Sequence, residues 1–212
     1  MKRLFGVALL VCCFSFSVMA ETPATLPDWQ DPQVFQKNRI PMASHFETDG
    51  LKQMLNGIWN FHWYETIDSR SKDFYTIGYD DSEWDDMPVP GLWELNGYAD
   101  PVYLNIGYAW KGQYKSNPPF PADWHNYAGQ YRRTFTLDEQ WKGKDVFLHI
   151  GAASSNVRVW INGKEVGYSE DSKLEARFDI TKYVKQGENL VALEIFRWCD
   201  GTYLEDQDFW RL

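Results

Sequence analysis

The feature that most constrains this chain is a period of two. In Ile58-Trp59-Asn60-Phe61-His62-Trp63 the rings Trp59, Phe61 and Trp63 share one face only if the segment is extended. Val146-Phe147-Leu148-His149-Ile150 alternates aliphatic residues with Phe147 and His149. Val157-Arg158-Val159-Trp160-Ile161 runs into Asn162-Gly163, a strong short hairpin signal, and residues 164–168 return from it. A last strand over residues 190–196 follows the turn Gln186-Gly187-Glu188-Asn189. No amphipathic helix of useful length is present, and residues 179–184 allow one helical turn. Short strands separated by Gly/Pro turns predict an all-β fold, a β-sandwich of jelly-roll or Greek-key type.

The N-terminal part reads differently. Residues 1–20 place Lys2 and Arg3 before an apolar run over residues 4–18 and the small-residue site Val18-Met19-Ala20. This is the pattern of a secretory signal, which predicts a secreted or periplasmic mature chain beginning near Glu21. An anchor helix lacks a second charged flank, and Val11 is too large for a lipoprotein site at Cys12. Residues 21–50 are polar and carry Pro23, Pro27, Pro32 and Pro41. They are expected to form an extended arm, ordered only by lying across something else. Residues 51–212 then form the main domain.

Charge and length exclude several functions. The formal net charge is −9, and removing Lys2 and Arg3 leaves 19 basic against 30 acidic residues, or −11. That balance argues against nucleic acid or a membrane surface as partner. A TIM barrel typically needs about 250 residues, more than the 212 here. With Cys12 and Cys13 in the signal, Cys199 is the single mature cysteine, so neither an internal disulfide nor a Cys/His metal set is expected. Nothing marks a base beside Cys199, which reads as a small half-buried residue next to Trp198. The 11 Trp, 12 Tyr and 13 Phe exceed what one small core hides. Some of these rings should line a surface that recognises a ligand.

Two segments are candidates for that surface. The run from Arg197 through Trp198, Cys199, Asp200 and Gly201 to Trp210 interleaves Asp200, Glu205, Asp206 and Asp208 with rings. Clustered carboxylates hold hard cations or accept hydrogen bonds from sugar hydroxyls. The spacing is not that of an EF-hand, and a solvated Asp-Gly turn is the plain alternative. The second segment covers Gly91-Leu92-Trp93 to Tyr98 and Tyr103-Leu104-Asn105-Ile106-Gly107-Tyr108, within a long irregular stretch over residues 88–128. Its rings serve equally well to cap the core. A retaining glycosidase needs two carboxyls about 5–5.5 Å apart. Glu205 and Asp208 are near in sequence, but nothing marks either as desolvated. His45, His62, His125 and His149 are scattered, and neither a nucleophile elbow nor a phosphate loop occurs. The residues alone give an acidic, ring-rich sandwich for polar neutral ligands, without a catalyst.

The run Arg197-Trp198-Cys199-Asp200-Gly201-Thr202-Tyr203-Leu204-Glu205-Asp206-Gln207-Asp208-Phe209-Trp210-Arg211 resembles the signature near the end of the N-terminal jelly-roll domain of large β-galactosidases in glycoside hydrolase family 2. Further segments agree in order: Asp28-Trp29-Gln30-Asp31-Pro32, Leu55-Asn56-Gly57-Ile58-Trp59-Asn60-Phe61, Val89-Pro90-Gly91-Leu92-Trp93, Asn117-Pro118-Pro119-Phe120, and Val166-Gly167-Tyr168-Ser169-Glu170-Asp171-Ser172. The resemblance implies a galactose-binding-domain-like jelly roll. It also implies that Asn105 and Asp200 reach a neighbouring catalytic barrel and contact galactose hydroxyls of lactose or a galactose-containing glycan. Asp200 would help hold a monovalent cation, usually Na+, and the resemblance allows Mg2+ and a homo-oligomer in the intact protein. Many relatives carry Ser where Cys199 stands.

In such a protein, terminal β-galactosides are hydrolysed with retention, by glutamates in a barrel that these residues do not include. The 212 residues are therefore expected to be the sugar-binding fragment of a larger enzyme, cut within the last strand of the sandwich and inactive alone. β-Glucuronidase and β-mannosidase share the sandwich, but the Glu-Asp-Gln-Asp and Asn-Pro-Pro-Phe runs favour β-galactosidase. The alternatives are a free-standing carbohydrate-binding module and a structural piece whose arm serves subunit assembly.

Overall fold

The computed structural model describes residues 25–42, 50–102 and 107–205. These contain β1 (Gln36–Lys37), β2 (Gly57–Tyr64), β3 (Asp85–Val89), β4 (Ala128–Leu137), β5 (Phe147–Ile150), β6 (Asn156–Ile161), β7 (Lys164–Glu170), β8 (Ala176–Asp179) and β9 (Gly187–Phe196). Seven strands form one antiparallel sheet in the order β1-β7-β6-β9-β4-β2-β3, while β5 and β8 pair as a second. The spine of the large sheet is β4 against β9, in register from Ala128↔Phe196 to Leu137↔Gly187. The fold is the expected all-β sandwich.

The alternation in β2 does what its spacing predicts. Trp59 and Phe61 are buried in the core with Trp63 packed against them, while the outward Asn60 reaches Asp81 at 3.1 Å. Val157, Val159 and Ile161 of β6 and Tyr131 and Phe135 of β4 fill the same core, and Phe178 and Ile180 close it from the second sheet. Burial of such apolar surface is the main stabilising contribution to the sandwich. Val146 is likewise inward, and Phe147 outward. Asn162 and Gly163 have φ of 51° and 79°, the left-handed pair that a tight hairpin between β6 and β7 requires. Asn162 also donates to Tyr183 O and accepts from Leu190 N, both at 2.9 Å, so the turn is tied to β9. Residues 180–184 make the single turn expected, and β9 begins at Gly187, inside the segment read as a turn.

The opposite face of the large sheet is also covered. Segment 65–84 lies over it, and Gln130, Arg132 and Glu194 are buried beneath. Each has partners: Glu194 accepts from Arg70 (3.1 Å) and Gln130 (2.8 Å), while Arg132 donates to Asp81 (2.7 Å), to Thr76 O (2.9 Å) and to Phe74 O. Buried charge without partners would cost several kcal/mol, so these contacts are a condition of the fold.

Residues 25–42 run along this face and the β7 edge. The two residues of β1 pair with Ser169 and Tyr168. Asp28 accepts from Lys37 (2.7 Å) and Arg158 (2.5 Å), and Trp29 meets Phe196 edge-on at 5.7 Å. Burial opposes the charge on Asp28, but the hydrogen bonds to Lys37 and Arg158 hold its carboxyl below the usual range. At the opposite edge, β3 carries Asp85, Asp86 and Pro88.

Candidate functional site

The run singled out in the sequence begins where β9 ends. Asn126, completely buried, donates to Trp198 O (3.1 Å) and accepts from Trp198 N (2.9 Å), which fixes the chain as it leaves the sheet. The next residues form a 3-10 turn, Asp200–Tyr203, with Cys199 at its N-cap. Cys199 N donates to Thr202 Oγ1 at 3.0 Å. Cys199 is more deeply buried than expected, 1% exposed, and burial pushes its thiol well above the ordinary range. A neutral, enclosed thiol is a poor nucleophile.

Asp200 is buried against the end of β7. Its carboxyl lies beside that of Glu170, which accepts from the Tyr168 hydroxyl at 2.7 Å. Burial raises both acids, Glu170 to about 8, and the neighbouring Asp200 charge raises Glu170 further. The ligand atoms of Glu170, Cys199 and Asp200 lie within 4.8 Å of one another. Asp200 Oδ1 is buried and has no hydrogen-bond partner among the described residues. The glycine that follows is required by this packing, because a Cβ on Gly201 would stand 2.8 Å from Glu170 Oε2.

Rings flank the acid, as the aromatic excess suggested. Tyr114, Trp198 and Tyr203 form a buried cluster with Trp110 packed against it. The Tyr203 hydroxyl donates to Phe120 O at 2.7 Å and accepts from Asn117 N at 3.1 Å, joining the Asn117-Pro118-Pro119-Phe120 loop to the Asp200 turn. Trp93 and Tyr98, by contrast, pack on Phe61 and cap the core, the plainer of the two readings of that segment.

Other candidates are placed elsewhere or lie outside the described residues. Asn105, Asp206, Asp208 and His45 are in the latter group. Glu205 accepts from Ser172 N (2.7 Å) and Ser172 Oγ (2.5 Å), fastening one loop to another. His149 pairs with Glu175 at 2.7 Å, and His62 and His125 pack on neighbouring rings. The sequence reading did not single out Asn126 or Glu170 as site residues. Glu170 lies within the Val166–Ser172 match to the family, but only pairing of distant strands brings it to Asp200.

A buried carboxylate with a spare oxygen has an acceptor that a hydroxyl group could use. The model for "Glycosyl hydrolases family 2, sugar binding domain" matches residues 51–212. The chain belongs to glycosyl hydrolases family 2. A beta-galactosidase of Priestia megaterium is 42% identical over 201 residues, covering 88% of this family 2 chain and 19% of the relative. One of Halalkalibacterium halodurans is 37% identical over 194 residues, covering 86% and 19%. The chain thus spans about a fifth of the length of these relatives. Among solved structures, a β-glucuronidase of Ruminococcus gnavus superposes with a TM-score of 0.53 at 19% identity, covering 74% of this chain and 24% of that one. A β-glucuronidase of Bacteroides uniformis gives 0.50 at 23%, covering 68% and 14%. These two likenesses support the fold.

Proposed function

We propose that this family 2 chain is the sugar-binding part of a β-galactosidase that hydrolyses terminal non-reducing β-D-galactosides with retention. The observation that carries the reading is the buried Asp200 carboxylate, with Oδ1 unpartnered among the described residues. An unpartnered carboxyl oxygen held in a dry setting is a strong acceptor for a sugar hydroxyl. Asn105 is the second substrate contact in this reading, able both to donate and to accept.

The same oxygen fits a monovalent cation, being hard and unused, whereas the neutral Cys199 thiol does not. When bound, such a cation, Na+ in this reading, supplies positive charge to the hydroxyls of the sugar. Asn126 holds the backbone at Trp198, Glu170 stands beside the Asp200 carboxyl, and Tyr203 ties the Asn117–Phe120 loop to the Asp200 turn. The glutamates of the retaining mechanism belong to a barrel outside these residues. Residues 1–20 direct secretion or export to the periplasm, which fits hydrolysis of external galactosides.

The test uses the purified chain and a chromogenic β-galactoside. Alone it should release no more chromophore than a heat-killed control. Added to a β-galactosidase lacking its own N-terminal part, it should restore turnover, and Asp200→Asn should raise KM of the restored activity. Turnover by the chain alone, or an Asp200→Asn chain restoring activity with an unchanged KM, overturns the reading.

A further inference from the structure

A second cavity lies on the outer face of the large sheet, between the arm, segment 65–84 and strands β6 and β9. Its volume is about 380 Å³, within the range of small-ligand sites. Neither Asp200 nor Glu170 lines it. The floor is aromatic: Tyr75 lies flat on Trp160 at 5.0 Å with an interplanar angle of 5°, and Trp29 meets Phe196 edge-on. Trp29 and Tyr75 are only half-buried, so part of each ring faces the groove.

The polar lining is nearly charge-balanced, with four basic side chains against three acidic ones. Arg158 is shared between Asp28 (2.5 Å) and Glu165 (2.8 Å), Lys37 pairs with Asp28, and Arg70 pairs with Glu194. Lys72 stands exposed at the rim. Such a lining neither attracts an anion nor attracts a cation strongly, yet it presents fixed donors and acceptors around the rings. A ligand that suits both is neutral, carries hydroxyls around its edge and has an apolar face for a ring. That is a pyranose.

We infer that this groove is a second saccharide site, one that takes a neutral glycosyl unit against Tyr75 and Trp29 independently of the Asp200 site. It extends the domain's role from trimming one site to holding a glycan in an adjoining groove, whose Asp28–Gln30 turn packs against the Asp200–Tyr203 turn. The inference goes beyond the galactosidase reading and needs neither a barrel nor a cation.

The experiment is an NMR titration of the purified chain with lactose and with cellobiose, following the tryptophan indole N–H resonances. Saturable movement of Trp29 and Trp160 is expected, unchanged in Asp200→Asn and weakened about tenfold in Tyr75→Ala, the scale of one lost ring contact. The wild-type map locates the sugar even where Tyr75→Ala fails to fold. The inference is overturned by the absence of saturable movement with either sugar. It is equally overturned by movement confined to Trp198 and abolished in Asp200→Asn, a result that would leave the galactosidase reading standing. Saturation at Trp29 and Trp160 together with failed complementation would separate the two in the other direction.

Discussion

Gly167→Ala tests how the arm and the sandwich are fitted together. Gly167 lies in β7, where a Cβ would stand 2.3 Å from Lys37 O on one side and 2.9 Å from the Phe178 ring on the other. Ordinary contact begins near 3.4 Å, so a neighbour must move by about 1 Å. Phe178 is completely buried, and repacking it to admit a methyl costs about 1–3 kcal/mol. The alternative is for the arm to lift. That breaks the Asn38 bond to Val166 O (2.8 Å), the Arg39 bond to Ser169 Oγ (2.8 Å) and the backbone bond from Ile40 N to Arg177 O (2.9 Å). At about 1 kcal/mol net for each bond, lifting costs about 3 kcal/mol. The two routes are close, and the expected loss is about 2–3 kcal/mol. With a urea m-value of about 2 kcal/mol/M the unfolding midpoint falls by about 1–1.5 M. Gly151→Ala is the control, because no atom lies within 4 Å of its would-be Cβ; its midpoint should stay put. Limited proteolysis within residues 25–42 reports which route is taken, since only a lifted arm is cut faster. A Gly167→Ala midpoint indistinguishable from that of Gly151→Ala would refute the reasoning.

Three further outcomes follow from contacts already described. Asp28 has a depressed folded carboxyl, so its contribution to arm docking is fully present above 3.8, its unfolded value, and is lost as pH falls through the folded value. The protection of the Gln36 and Lys37 amides, corrected for the slower intrinsic exchange in acid, should therefore fall below that point, and an Asp28→Asn chain should show no such step. Arg158→Met strips Asp28 and Glu165 of a shared partner and removes the cation lying 4.9 Å over the Tyr168 ring. The expected loss is about 2 kcal/mol in urea unfolding, between the values for exposed and fully buried pairs; a loss below about 0.5 kcal/mol would mean solvent replaces the clamp. Asn162→Ala removes the side-chain bonds to Tyr183 O, Asn189 Oδ1 and Leu190 N and leaves a residue without a local polar partner at φ 51°. About 2 kcal/mol should be lost, and Asn162→Asp, which keeps the acceptor for Leu190 N but turns a carboxylate oxygen toward Tyr183 O and Asn189 Oδ1, should lose at least as much.

How much of this was legible depended on where each residue's partner lies. β2, β5, β6, β7 and most of β9 were readable from their own alternation and from the Asn-Gly turn that joins β6 to β7. β4 escaped, although it is central, because Gln130 and Arg132 make its outward face look solvated. Those side chains are buried by partners some 50 to 60 residues away, Asp81 among them, and no local period encodes that. The Pro88 in β3 and the two-residue β1 likewise gave no strand signal. At the site, Asp200 was legible as a carboxylate beside rings. Its buried state was not, because the Glu170 carboxyl beside it comes from another strand. Asn126 was hidden for the same reason: an asparagine in a loop reads as a turn former until Trp198 is placed against it.

The two ends of the large sheet bear on how such a domain survives among neighbours. An open sheet offers unpaired N–H and C=O groups on which another chain can continue the ladder. Here one border is a strand of two residues, and the other bears two aspartates and a proline that cannot donate. A copy approaching either border finds too short a template on one side, and on the other like charge with a missing donor. The large sheet is therefore a poor template for pairing with its own kind at either border.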